Sequence, residues 1–397
     1  MSIIDLSNYE KETENINNKE MNNFRIYDIN DIEGITLMHK NDPVLYFTDT
    51  HDINVINKNL LPYQLKGIKN LTLTTLLDFI RFRSVSIRRK YYKDIVNYLG
   101  IQQEASEYAI ILKTQALSLQ DHYWIKIPSN PYQTWEEVNL FENKFSEAIS
   151  FIAFTGSYPT IQNEMRTPEV ATGGIYPKCW RRLENEIFLF KSSLEKGIEA
   201  ECEVFSSKVA SLISDNVLNY DFTIYENRRS SKCKLFTSIS EEEVSATTIS
   251  KFLARKGIPL ENFLLNKARD YYYEILLIDS IVNNGDRHNS NFSFLSFDDF
   301  KLKPAPIFDF NNTMNQEDKK SLIDFKQRNN LEVLHELIKR KPVEEKVLNL
   351  RKAIDDGRLD ILNKDLIKYD SKLYNELKAR LSWRLDSVLN KKDDMIW

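Results

Sequence analysis

Hydrophobic and polar positions change their rhythm twice along this chain. Between Phe24 and Phe47, short apolar runs (FRIYDI, GITLMHK, VLYF) are broken by Asn41-Asp42-Pro43, a pattern that predicts strands joined by a turn. Leu71–Leu99 then predicts helices, with Leu73, Leu76, Leu77 and Ile80 on one face. Residues 1–22, rich in Asn, Glu and Lys, predict a flexible, frayed end. Pro128-Ser129-Asn130-Pro131 reads as a linker and sets a boundary near residue 130, so that 23–130 forms an accessory module of mixed α/β character.

The next stretch opens on a glycine pair, Thr172-Gly173-Gly174. Ile187–Lys191 (IFLFK) is apolar on both faces and predicts a buried strand. Glu199–Ile213 places Val204, Phe205, Val209, Leu212 and Ile213 at helical spacing. Leu218, Tyr220, Phe222 and Ile224 alternate as in a strand, Asn227–Ser231 reads as a turn, and Lys234–Thr237 as the returning strand. From about Glu241 the pattern turns mostly helical. Ala268–Asn283 predicts a long buried helix stopped at Asn283-Asn284-Gly285, and the charged, amphipathic tail beyond Gln316 predicts further helices.

A length of 397 residues suits two or three domains, and 42% hydrophobic residues suffice for a sizeable core. Only 10 Gly and 11 Pro argue against low-complexity linkers. The 54 basic and 58 acidic residues leave a formal charge of -4, so no direct nucleic-acid binding is expected. The three cysteines, Cys179, Cys202 and Cys233, form no C-x-x-C pair and fit a reducing compartment. The longest apolar run, within Tyr271–Val282, is interrupted by Glu274 and Asp279 and is too short to span a membrane. With no apolar signal core near the N-terminus, the expected location is cytoplasmic.

Chemistry concentrates in Asn284-Gly285-Asp286-Arg287-His288-Asn289-Ser290-Asn291. An Asp followed five residues later by Asn, just after a buried helix, is the spacing of a phosphotransferase catalytic loop. The Asp accepts the proton of the substrate hydroxyl, and the Asn holds magnesium. Pro306-Ile307-Phe308-Asp309-Phe310-Asn311 delivers a second carboxylate behind an apolar run, as the metal-binding D-F-G segment does. Mg²⁺ is hard, prefers oxygen ligands and keeps several waters, so one Asp and one Asn suffice. The competing reading is that Asp286 and Asn291 only cap a turn and Asp309 ends a strand.

At these residues the chain resembles the HipA-like serine/threonine kinases, in a stand-alone bacterial form. The motifs that carry the resemblance are TGGIYPKCW (Thr172–Trp180), IFLFK (Ile187–Lys191), ECEVFSSKVA (Glu201–Ala210), NNGDRHNSNF (Asn283–Phe292) and APIFDFNNTM (Ala305–Met314). LSLQDHYW (Leu117–Trp124) resembles leaders seen on some such proteins and carries no readable chemistry. The resemblance implies a bilobal protein-kinase-like α+β fold, with a small β-rich lobe over 131–240 and a larger helical lobe over 241–397. It implies ATP and Mg²⁺ as cofactors, Asp286 as catalytic base, Asn291 and Asp309 as metal ligands, and Lys191 as the nucleotide lysine. Glu203 is its expected helix partner, with Glu201 the competitor. Thr172, Gly173, Gly174 and Lys178 are implied in a phosphate-covering loop. The D-F-G glycine is replaced by Asn311, a residue that tolerates a left-handed turn, and the phosphate loop lacks a conventional G-x-G-x-x-G.

The resemblance further implies a protein substrate carrying Ser or Thr and an antitoxin-like partner. It also implies autophosphorylation on Thr155, Ser157, Thr160, Thr167 or Thr172, of which Thr172, nearest the glycines, is the first choice. Two other functions stay open. Gly-Asp-Arg-His-x-x-Asn is also similar to the catalytic loop of phosphoinositide kinases, which admits a lipid or small-molecule phosphotransferase. A pseudokinase that binds nucleotide or a partner is the non-enzymatic alternative. His288 reads as a loop-ordering histidine, Arg287 as a loop anchor, and Tyr271–Tyr273 as core. The cluster Arg81, Arg83, Arg88, Arg89 and Lys90 reads as a solvated face.

Overall fold

The computed structural model describes residues 3–6, 34–47, 53–81, 83–101, 107–160, 166–195, 197–298 and 301–393. Contacts divide the chain into two units. The first comprises Met1–Ile187, Thr237–Leu260 and Phe294–Lys303; the second comprises Phe188–Phe236, Glu261–Ser293 and Pro304–Trp397. These units cut across the boundaries expected near residues 130 and 240, because the first unit draws strands from both sides of each.

The first unit holds two antiparallel sheets. Strands β1 (Ile4–Asp5), β2 (Ile35–His39), β3 (Asp42–Phe47), β4 (Ile53–Val55) and β5 (Tyr123–Lys126) come from its N-terminal part. One sheet runs β4-β3-β2-β5. Its pairing slips once between Leu37 and Met38, where Met38 faces Pro43, the second residue of β3, which has no N–H to give the ladder. Leu37, Leu45, Phe47 and Ile125 from the sheet pack on Leu76 and Ile80 of the helix Leu73–Arg81. A second cluster joins Ile95 and Val96 to Ile149, Ile152 and Ala153 of the helix Glu147–Thr155. That helix begins where Ser146 accepts a hydrogen bond from the Ile149 amide and stops on Gly156 at φ 75°. The expected strand within Phe24–Ile29 lies outside the described residues, as does most of the frayed end. Ile4 is nevertheless buried and pairs with Leu302.

Strand β6 (Lys178–Leu183) belongs to the first unit, and β7 (Glu186–Ser192) leads into the second. There β7 pairs with β9 (Arg228–Lys234), and β9 with β8 (Tyr220–Tyr225), all antiparallel. The hairpin turns on Glu226-Asn227, both left-handed at φ 46° and 59°, so Arg228–Ser231 continue the strand and the turn expected over 227–231 is tighter. Two left-handed residues match the twist of the flanking strands. The helix Glu199–Ser211 packs on β8 and β9 and is buried almost all round, which explains why polar Glu201, Glu203, Ser206 and Ser207 point into protein. The helix Arg269–Val282 follows, and helices Asn330–Leu337, Lys341–Asp355, Arg358–Leu362, Lys364–Tyr369 and Ser371–Asp393 complete the unit.

The mostly helical reading after Glu241 is incomplete, because β10 (Glu242–Ser245), β11 (Ser293–Asp298) and β12 (Lys301–Pro304) join β1 in the order β1-β12-β11-β10. Such short strands carry too little periodicity to stand out beside long helices. Within the basic cluster, Arg88 and Lys90 are exposed as expected of a solvated face, whereas Arg83 and Arg89 are buried. Arg83 donates to Ala116 O, Tyr123 O and Asp121, and Arg89 pairs with Glu169, both within the first unit. No described helix is long and apolar enough to cross a membrane.

Candidate active site

The second unit gathers Lys191, Glu203, Asp286, Asn291 and Asp309. Lys191 lies on β7 opposite Ser231. Its ammonium donates to Glu203 Oε1 at 2.6 Å and to Asp309 Oδ1 at 2.9 Å. Ser231, from the neighbouring strand, donates to the other oxygen of Glu203. Of the two glutamates, Glu203 therefore meets the lysine, whereas Glu201 pairs with Arg229 and accepts from Ser193. A helix advances about 100° per residue, so positions two apart point in different directions. Burial works against the Lys191 charge, yet Asp309 and Glu203 together raise its pKa well above the usual lysine range. Burial likewise pushes the Tyr220 phenol up; its ring lies 5.5 Å from the Lys191 ammonium.

The loop carrying Asp286 starts where the helix Arg269–Val282 ends on Asn283, left-handed at φ 53°. Buried Asn283 donates to the carbonyls of Asn315 and Glu317 and accepts from the Lys319 amide. Asn284 accepts from the Asp286 amide and donates to Asp279. Asn291 donates to the Asp286 carbonyl at 2.8 Å, which closes the five-residue loop on itself. Exposed His288 accepts from the Ser290 amide. Among the described residues, the Asp286 carboxylate has no hydrogen-bond partner and remains available to a substrate hydroxyl.

Arg287 joins this loop to the Asp309 segment. Its guanidinium pairs with Asp279, at 2.9 Å through Nε, and donates from one nitrogen to both Asn291 O and Phe308 O. It also lies over the Phe310 ring, 5.4 Å from the centroid. Burial opposes the charge, but Asp279 raises the arginine pKa further. The Asp309 segment is held from the other side by a parallel bridge between Val217 and Ile307 and by Thr313, whose hydroxyl meets Ser206 on the Glu203 helix at 2.7 Å. Asp309 itself is left-handed at φ 64°, and Asn311 is not. The turn expected at Asn311 thus falls on Asp309, a residue whose short side chain tolerates it.

Thr172, Gly173, Gly174 and Lys178 belong to the first unit. The Thr172 hydroxyl donates to Pro168 O and accepts from Trp180 Nε1. Gly174 has φ 89°, a backbone angle that favours glycine, and a Cβ there would meet only the movable end of the Lys178 side chain. The three cysteines are free and buried, and burial pushes the Cys202 and Cys233 thiols up to about 12, which leaves them unreactive.

No family model matches the chain, and no curated protein matches it. Among solved structures, the toxin–antitoxin system HipA, HipB and operator DNA complex of Shewanella oneidensis MR-1 aligns at TM-score 0.56 and 14% identity, covering 90% of this chain and 97% of that one. The chain has the HipA fold. The Helicobacter pylori proinflammatory kinase CtkA aligns at TM-score 0.44 and 17% identity over 55% of this chain and 90% of its own. At such identity the likeness speaks for the fold, and the chemistry rests on the residues above.

Those residues include some that sequence reasoning passed over. Asp279 and Ser231 bear directly on the site, but a helical Asp and a strand Ser carry no local signature. Only the period of the helix, which sets Asp279 on its buried face, hinted at a partner.

The donor set suits a hard divalent cation. One ammonium shared by two carboxylates leaves a net negative charge, and the Asn291 side-chain oxygen Oδ1 has no hydrogen-bond partner among the described residues. Oxygen donors of this kind suit Mg²⁺ better than a softer ion.

Proposed function

We propose that this chain is an ATP- and Mg²⁺-dependent phosphotransferase of the HipA-like kind, acting on Ser or Thr of a protein. The observation that carries the reading is Lys191 held between Glu203 and Asp309 in the unit that presents the free carboxylate of Asp286. Asp286 orients the acceptor hydroxyl and takes its proton. Lys191, kept charged by its two carboxylates, contacts the nucleotide phosphates. Glu203 fixes the lysine on its strand, and Arg287 holds the Asp286 loop and the Asp309 segment to one another. Asn291 and Asp309 would hold Mg²⁺, which when bound offsets the phosphate charge.

The HipA complex contains HipB and operator DNA, which makes an antitoxin-like partner a reasonable extension to this chain. It lends no support to the expectation that the chain meets no nucleic acid. The test is incubation of purified protein with labelled ATP, Mg²⁺ and candidate proteins or lipids, beside Asp286→Ala. Transfer to protein hydroxyls that is lost in the variant supports the reading. Transfer to lipid favours the small-molecule alternative, and near wild-type transfer by Asp286→Ala ends the assignment of the base.

A further inference from the structure

The first unit contains a cluster with no part in phosphotransfer. His39 at the end of β2, His122 just before β5 and Glu242 at the start of β10 bring their ligand atoms within 4.8 Å of one another. His39 Nε2 lies 2.8 Å from Glu242 Oε1, and His122 Nδ1 lies 3.1 Å from the same oxygen. The His122 backbone amide also donates to that oxygen, at 2.8 Å. Three nitrogens thus crowd one oxygen that has two lone pairs.

The other ring nitrogen of His122 decides what is missing. Nε2 sits 2.8 Å from the Ser238 carbonyl, which can only accept, so Nε2 carries the proton. In the neutral ring Nδ1 then faces the carboxylate with a lone pair, acceptor against acceptor. Either a second ring proton or a cation must lie between them. The His122 side chain is 2% exposed and that of Glu242 15%, so the cluster is largely shielded from water. A carbonyl on the far nitrogen is also the outer bond that a metal-bound histidine makes. The backbone is already fixed around the cluster: Lys40 donates to His122 O, and Glu243 donates to Gln120 O.

We infer that His39, His122 and Glu242 form a binding site for a zinc-class divalent cation. Two imidazoles and one carboxylate are a donor set that zinc favours. Zinc bonds of about 2.0–2.2 Å place tetrahedral ligand atoms roughly 3.3 Å apart, so the 2.8 and 3.1 Å spacings to Glu242 need to open only slightly. His39, at 19% exposure, leaves a fourth position to water. The ion would clasp three segments that are remote in sequence, among them the otherwise silent Leu117–Trp124.

Calorimetric titration of the chelator-stripped full-length chain with Zn²⁺ tests this. One saturable site per chain and a raised Tm are expected. His39→Ala and Glu242→Gln should each weaken binding about tenfold or more while keeping the native circular dichroism. Asp309→Asn should bind Zn²⁺ as the native chain does, which separates this site from the one in the second unit. Absence of a saturable site in the native chain overturns the inference. So does native-like binding in both cluster variants, or loss of the site in Asp309→Asn.

Discussion

Truncating Arg287 should unsettle the candidate site more than any surface change. Its side chain is 1% exposed and that of its partner Asp279 is 2% exposed. Arg287→Met removes two charge-assisted bonds to Asp279 and the bonds to Asn291 O and Phe308 O. Among the described side chains, Asn284 alone would then donate to the buried Asp279 carboxylate. Breaking a buried pair in this way costs about 3–5 kcal/mol. Removing both charges costs less, because no lone buried charge remains. The double variant Arg287→Met/Asp279→Asn should therefore fall short of the sum of the single losses by about 1–3 kcal/mol. Urea unfolding followed by circular dichroism measures all four corners of the cycle, with the m-value checked to be unchanged. Phosphotransfer should drop in the single variant even where the fold persists, since the Asp286 loop and the Asp309 segment lose their common tie. A single-variant loss below about 1 kcal/mol, or strict additivity, would refute the clamp.

The remaining predictions concern nucleotide, acid and self-modification. ATP with Mg²⁺ should raise Tm by mass action, and Lys191→Ala should reduce that shift as well as lower the ligand-free Tm, because Glu203 loses its partner; an equal shift in both proteins would count against the lysine's role. Burial works to raise the Asp324 pKa, but hydrogen bonds from Arg328 hold it below the ordinary value. A depressed folded pKa adds stability that is fully present above the unfolded pKa of about 3.9 and is lost as pH falls through the folded one. The Tm gap between native protein and Asp324→Asn should accordingly narrow below about pH 4, and a constant gap would contradict the pairing. Mass spectrometry after incubation with ATP should find phosphate on exposed Ser157 or Thr160 before Thr172 or Thr167, whose hydroxyls are engaged in the fold; equal phosphate in Asp286→Ala would exclude self-transfer.

Sequence by itself carried whatever depends on neighbours along the chain. The helix over Glu199–Ser211 follows from a period of 3.6, the strand holding Lys191 from a short run apolar on both faces, and the Asp286–Asn291 spacing is a property of one short loop. Choices between chemically equal residues fell to the tertiary structure. Glu201 and Glu203 are both buried acids on one helix, and only the rotation of that helix against β9 gives Ser231 and Lys191 to Glu203. Arg287 could have faced solvent until the period of the helix Arg269–Val282 placed Asp279 beneath it. The left-handed turn fell on Asp309 and not on Asn311, because the pairing of Ile307 with Val217 and the burial of Phe310 fix the chain on either side. His39, His122 and Glu242 stand far apart in sequence, and no local pattern joins them. Their meeting follows from strand order, which long-range pairing sets and a single sequence does not display.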